Sequence, residues 1–455
     1  MPRTPRAQPT PSVPAKWQWF NQARFGLFLH WGPYSVLGRG EQVLNREHLD
    51  HDDYCRMACA WQPAHYDPRV WAATAVAAGM KYAVLTTRHH DGYCLWDTQH
   101  TDYSSARQAP RRDFVREYVE AFRAAGLRVG LYYSLIDLRL PGWLDGPTRD
   151  PAGWVRAKEY VYHQVRELCT NYGKVDVLWF DGLWPRTAAD LESRKLIALI
   201  RELQPDILIN DRLEWPQFSY YWQVHGHPGV PKAEEIGDFG TAEQGIYARR
   251  GYLWESCQTA TWRLWGHTRG ARWKSAAQIL DLLVECASRG GNLLLNEGPQ
   301  PDGQLSPAFV ERVAAVGRWL GVHGEAIYGS EGGNVNEFVT RGWQTVRGRN
   351  LYLILRFPDG RPELRLPDLA TRVRRATLLT TGQDLPFTQR GEELIIRGLP
   401  VLTTDTLFPV IKLECAAPPR GGEWAAKRIW GADSSTFAAW ARRRGTSPWV
   451  DGQER

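Results

Sequence analysis

At 455 residues the chain exceeds one ordinary domain, and 43% hydrophobic against 23% charged residues is the profile of a soluble globular protein. The 56 basic residues are dispersed among 50 acidic ones for a net charge of +6, without the basic stripe of a nucleic-acid binder. No window is long and apolar enough to span a bilayer, so composition argues against both nucleic-acid and membrane partners. Residues 1–16 are Pro-rich and read as a disordered leader. They hold no apolar stretch of the secretory kind, which makes the expected compartment cytoplasmic, or periplasmic or secreted if a signal segment has been removed. The 7 Cys are scattered without zinc-ribbon spacing and read as free thiols; Arg442-Arg443-Arg444 reads as a solvated surface run.

From 17 to 330 short apolar runs alternate with amphipathic segments, the pattern of βαβ units and a parallel sheet. The predicted strands are Gly26–Trp31, Tyr82–Thr87, Val129–Leu135, Val175–Phe180, Ile207–Asn210 and Asn292–Leu295. Predicted helices cover Pro68–Ala78, Asp113–Ala125, Val155–Asn171 and Lys274–Ser288. Most of the strands are apolar throughout, as strands buried on both faces are. Polar residues follow them: His30, then Arg88-His89-His90-Asp91, Ser134 with Asp137, Asp181, Asn210-Asp211-Arg212, and Asn296-Glu297. Ionisable side chains at the C-terminal ends of several parallel strands are where a (β/α)8-like barrel keeps its active site, so an enzyme is expected. From 331 to 416 the texture is all-β and predicts a C-terminal β-sandwich, with strands at Val335–Thr340, Leu351–Phe357, Leu364–Leu366, Ala376–Thr380, Leu394–Ile396 and Val410–Leu413. Residues 417–455 stay unassigned. The 22 Trp suit carbohydrate work, because aromatic faces stack on the C–H faces of sugars, although most Trp in any protein are core.

Six segments in order resemble the α-L-fucosidases of glycoside hydrolase family 29. They are Arg24–Gly32 (RFGLFLHWG), Leu85–Gly92 (LTTRHHDG), Gly130–Ser134 (GLYYS), Asp176–Gly182 (DVLWFDG), Gly290–Asn296 (GGNLLLN) and Gly324–Gly329 (GEAIYG). The resemblance covers 18 to about 415. It implies a (β/α)8-like barrel with a C-terminal β-sandwich, cleavage of terminal α-L-fucose with retention, and no metal or other cofactor. Its substrate would be a fucosylated oligosaccharide or glycoside; self-association into a homo-oligomer is left open.

Asp181 precedes Gly182, and Asp-Gly is an ordinary turn dipeptide. The resemblance makes it the nucleophile, a carboxylate onto which an oxocarbenium-like transition state collapses. His30, His89 and His90 admit three readings: structural residues, a metal cluster with Asp181, or, by resemblance, donors and acceptors for sugar hydroxyls. Adjacent His89 and His90 can both line a pocket only if the backbone turns there. Glu41, Tyr132 and Trp265 match family positions that bind the sugar, and Arg212 reads as a charged donor supporting the site. The chain departs from the family at Gln42 and Leu213, where an aromatic is usual, and reads Leu264-Trp265-Gly266-His267 where Ser-Trp-Gly-Tyr is common. Glu243, on a loop, and Glu255, at a further strand end, compete as acid/base. Glu243 is favoured, because a loop carboxylate reaches the glycosidic oxygen from the side, and Glu255 is grouped with the substrate-binding residues as one that holds the pocket in shape. A retaining enzyme for a related L-sugar such as L-galactose, a non-catalytic fucose-binding protein and a metal-dependent barrel hydrolase are the alternatives.

Overall fold

The computed structural model describes residues 13–214, 237–246, 253–262, 264–333, 342–356, 360–400 and 407–421. Residues 1–12 of the expected leader, the expected strand Val335–Thr340, Phe357 and the tail beyond 421 lie outside the described residues. The chain divides into two compact units, Met1–Gly324 and Glu325–Arg455.

The first unit is built on eight strands: β1 (Phe25–Leu29), β2 (Tyr82–Arg88), β3 (Arg128–Ser134), β4 (Val177–Asp181), β5 (Leu208–Ile209), β6 (Phe239–Glu243), β7 (Leu253–Thr259) and β8 (Asn292–Glu297). Their order is β5-β4-β3-β2-β1-β8-β7-β6, and every pairing is parallel. The sheet closes on itself where Asn210 bridges Phe239 and the Asp238 amide donates to the Ile209 carbonyl at 2.7 Å. β5 spans two residues because the Asn210 side chain takes over the ladder, donating to the Phe180 carbonyl at 2.9 Å and accepting from the Phe180 amide at 2.8 Å. Asp238 accepts from the Ile209 amide and pairs with Arg201, and Asp211 accepts from the amide and hydroxyl of Thr241, so side chains stitch the seam between β5 and β6.

The connecting helices begin where the chain supplies an acceptor for their free amides. Asp67 caps Pro68–Ala77 and Asp113 caps Phe114–Ala124; Asp150 caps Pro151–Thr170; Ser275 and Gln278 form a capping box on Ala276–Ser288. Helices at His51–Cys59, Pro141–Arg149, Ser193–Leu203 and Pro307–His323 join those predicted.

The second unit is all-β. A six-stranded antiparallel sheet contains Gly342–Arg347, Asn350–Leu355, Val373–Leu378 and Val410–Cys415, and a three-stranded one contains Glu363–Leu366, Phe387–Arg390 and Glu393–Arg397. Leu351, Leu353, Ile411 and Leu413 of the first sheet share a core with Leu364, Leu366, Leu394 and Ile396 of the second. Alternate residues of Asn350–Leu355, Val410–Cys415, Glu363–Leu366 and Glu393–Arg397 face that core, which is the sandwich arrangement.

Candidate active site

The C-terminal ends of the barrel strands converge on Asp181, the last residue of β4. Its Oδ2 accepts from the Tyr132 hydroxyl at 3.0 Å and its Oδ1 from Arg212 Nη1 at 3.1 Å. Burial alone would push this carboxyl up. The Arg212 charge, His90 and the Tyr132 hydrogen bond reverse that and hold it below the usual carboxylate range, so Asp181 is ionised.

Arg212 is the hub. Its Nη2 donates to Glu243 Oε2 at 3.0 Å, its Nε donates to Thr241 Oγ1 at 3.0 Å, and its guanidinium lies over the Trp179 ring at 4.7 Å. One planar fork thus touches two carboxylates, a geometry that an ammonium cannot reproduce. Asp181 is 18% exposed and Glu243 47%, so one carboxylate lies in the floor and the other at the mouth.

The sequence reading of the two glutamates needs correction. Glu243 is on no loop: it ends β6, whose register carries it past the barrel rim. Glu255 does not end a strand. It is the third residue of β7, fully buried, with Oε2 accepting from the Tyr82 hydroxyl at 2.6 Å and Oε1 from the Trp179 indole N–H at 2.8 Å. Both its oxygens are engaged by protein donors, Tyr82 and Trp179.

The three imidazoles lie together beside Asp181, with ring centroids of 5.6 Å for His30–His89 and 4.1 Å for His89–His90. β2 ends at Arg88, and the chain turns through His89–Gly92, with the Gly92 amide donating to the His89 carbonyl at 3.1 Å. Gly92 has φ 78°, and a Cβ there would strike Asp137, so glycine is required for the turn that points both rings inward. The ring tautomers follow from fixed partners. Asn296 donates to the Trp265 carbonyl, so its Oδ1 accepts from His30 Nδ1 at 2.6 Å. Ser134 donates to the Ile136 carbonyl, so its Oγ accepts from His90 Nδ1 at 2.7 Å. Each ring therefore presents Nε2 as an acceptor, and His90 Nε2 faces Asp181 Oδ2 at 3.9 Å. Burial lowers His30 to about 3 and His90 to about 4, which keeps both rings neutral. His89 stacks on Tyr132 with centroids 5.7 Å apart, and its buried Nδ1 has no partner among the described residues.

Glu41 fixes the opposite wall. Its Oε2 accepts from the Trp265 and Gly266 amides at 3.0 and 2.9 Å, while its buried Oε1 has no partner among the described residues. Gln42 and Glu41 line a small cavity with Asn45, His90 and Trp184. Phe28, Tyr132, Trp179 and Trp265 form an aromatic cage beside Asp181, with Phe28 between 5.1 and 5.9 Å from each of the other three rings. Sequence reasoning missed Asn296 and Ser134 as the orienters of His30 and His90, although both appear among the strand-end polar residues. It also missed Phe28 and Trp179 as members of this cage, although both lie in the quoted motifs. Among the described residues no three His, Cys, Asp or Glu side chains are grouped to hold a metal ion.

The sequence profile of the α-L-fucosidases matches residues 5–325. The tissue α-L-fucosidase of Rattus norvegicus is 31% identical over 426 residues, 86% of this chain and 87% of its own, and that of Bos taurus is 30% identical over 397 residues, 81% of each chain. Among solved structures, α-L-fucosidase isoenzyme 1 from Paenibacillus thiaminolyticus superimposes with a TM-score of 0.79 at 35% identity, covering 88% of this chain and 99% of its own. A GH29 α-L-fucosidase from Bacteroides thetaiotaomicron, solved as a trapped covalent intermediate with 2-fluoro-fucosyl fluoride, gives 0.80 at 26% identity, covering 90% and 98%. Barrel, sandwich, paired carboxylates and these relatives agree: the chain belongs to the α-L-fucosidases of glycoside hydrolase family 29.

Proposed function

We propose that the chain hydrolyses terminal α-L-fucosides by double displacement, with Asp181 as nucleophile and Glu243 as acid/base. The observation that carries this reading is one guanidinium joining an ionised, largely covered carboxylate to a half-exposed one at the pocket mouth. In the first step Asp181 attacks the anomeric carbon while Glu243 gives its proton to the departing oxygen. In the second, water attacks the same carbon, Glu243 takes the water's proton, and Asp181 leaves. The trapped covalent intermediate of the Bacteroides relative supports the two-step course.

The sugar would be held by acceptors facing inward. His30 and His90 offer Nε2 to ring hydroxyls, and Glu41 offers Oε1. The cage of Phe28, Tyr132, Trp179 and Trp265 suits a methyl substituent, which favours fucose over L-galactose. A fucosylated oligosaccharide or glycoside is accordingly the substrate class.

The test is Asp181→Ala, scored together with the anomer released by the parent. Loss of a covalent nucleophile costs several kcal/mol of transition-state stabilisation, so turnover should fall by ~10³-fold or more while fucose still binds. The parent should release α-L-fucose first, read by proton NMR. A variant within about tenfold of the parent, or prompt β-L-fucose, refutes the reading.

A further inference from the structure

Beneath the pocket floor a third carboxylate is fixed in a position that the two-step mechanism leaves unused. Glu255 sits inside the barrel with each oxygen bonded to a different donor, Tyr82 from β2 and Trp179 from β4. Space is left for this: the Tyr82 ring lies where a Cβ on Gly26 of β1 would be, at 2.5 Å. Trp179 in turn lies face to face with Tyr132, centroids 5.6 Å apart at 22°, and carries the Arg212 guanidinium on its ring at 4.7 Å. Tyr132 and Arg212 are the two donors that hold the oxygens of Asp181.

We infer that Glu255 is a positioning residue: by fixing the Trp179 indole it sets the Tyr132 hydroxyl and the Arg212 guanidinium that aim Asp181. The inference rests on the reading of Asp181 given above. An indole N–H can only donate, so Trp179 needs an acceptor in the barrel interior, and a buried N–H without one drives the ring elsewhere. Rotation of that ring takes the stacking surface from under both Arg212 and Tyr132. Glu255 is fully buried; burial raises its carboxyl to about 7, and the bonds from Tyr82 and Trp179 oppose that rise because they stabilise the ionised, accepting form. Its competing role as acid/base would require reach to the glycosidic oxygen, and both its oxygens point down to Tyr82 and Trp179.

Variants of Glu255 and Trp179 test the assignment on an aryl α-L-fucoside, with fucose binding measured by calorimetry. Glu255→Gln keeps an acceptor for Trp179 and donates its amide to Tyr82, whose hydroxyl reverses, so kcat should stay within about tenfold of the parent. Glu255→Leu fills similar space without an acceptor, and kcat should fall by ~100-fold or more while the fucose Kd changes by less than about threefold. Trp179→Phe removes the N–H donor together with the five-membered ring and keeps a phenyl ring under Arg212; it should lower kcat by an intermediate factor, and it serves if the leucine variant fails to fold. Equal losses for Gln and Leu, unchanged kcat in both Leu and Phe variants, or azide acceleration of Glu255→Ala would overturn the proposal. Asp181→Ala in the same series separates the two claims: if it stays active, the reading of the nucleophile fails whatever the Glu255 variants do.

Discussion

Removing Arg212 should damage catalysis in two separable ways, because it contributes both contacts and charge. It makes hydrogen bonds of 3.0–3.1 Å to Thr241, Asp181 and Glu243. Arg212→Lys keeps the charge but reaches one carboxylate at most, and one charge-assisted bond is worth ~1.5–3 kcal/mol. At 1.4 kcal/mol per decade, kcat/KM should fall by ~10–100-fold. Arg212→Met keeps a stem on the Trp179 ring and loses both carboxylate contacts, so the fall should be ~10²–10⁴-fold. The methionine variant also changes the pH profile. Burial is the largest influence on Asp181 and pushes its carboxyl up; Arg212 is the first of the forces opposing it. With that charge gone the carboxyl titrates higher. The active form is ionised, so activity is lost as pH falls through this value, and the acid limb must move to higher pH in Arg212→Met and far less in Arg212→Lys. The assay is kcat/KM on an aryl fucoside between pH 3 and 8 for parent and both variants. An acid limb that stays put or moves down in Arg212→Met would show that Arg212 does not govern Asp181.

Glu243→Ala should hydrolyse a substrate with a good leaving group slowly and be accelerated by azide, giving an azide of the same anomeric configuration as the substrate; the inverted azide would point to loss of the nucleophile instead. An aryl α-L-galactoside should be turned over ~10–100-fold less efficiently than the fucoside, because its extra hydroxyl enters the aromatic cage without a partner; equal kcat/KM values would remove the cage from the specificity argument. Fucose binding should be constant from neutral pH down to about 5 and weaken below about 4, as His30 and His90 protonate and Nε2 ceases to accept. Calorimetric titrations that weaken near the ordinary His value of about 6.5 would contradict the buried, neutral assignment.

Most of the barrel was legible because β1 to β4 and β8 are apolar runs buried on both faces, and Asp181 ends one of them. β6 and β7 were harder. Phe239-Gly240-Thr241-Ala242-Glu243 is short and small, and Leu253–Thr259 carries Glu255, Ser256 and Gln258 where an apolar strand is expected. Those polar residues have their partners across the barrel or in the segment after β6: Tyr82 and Trp179 for Glu255, Gly245 for Ser256. Such pairings join positions far apart in the chain, and no local pattern announces them. The tautomers of His30 and His90 were hidden for the same reason, since they depend on which way Asn296 and Ser134 donate. Tyr82 gave no signal at all, because its role comes from the missing side chain of Gly26 opposite.

The stitched closure between β5 and β6 places Arg212 and Glu243 on opposite banks of the join with the shortest strand in the barrel. A join held largely by the Asp211 and Asp238 side chains has fewer cooperative ladder bonds to break than the others, so opening there costs less than unfolding the whole barrel. Parting the banks would separate the guanidinium from one of its two carboxylates while the other seven strand pairings persist. Heat or denaturant should therefore silence this enzyme before it melts, with the amides of Ile209 and Thr241 exchanging with solvent ahead of those in β1 to β3.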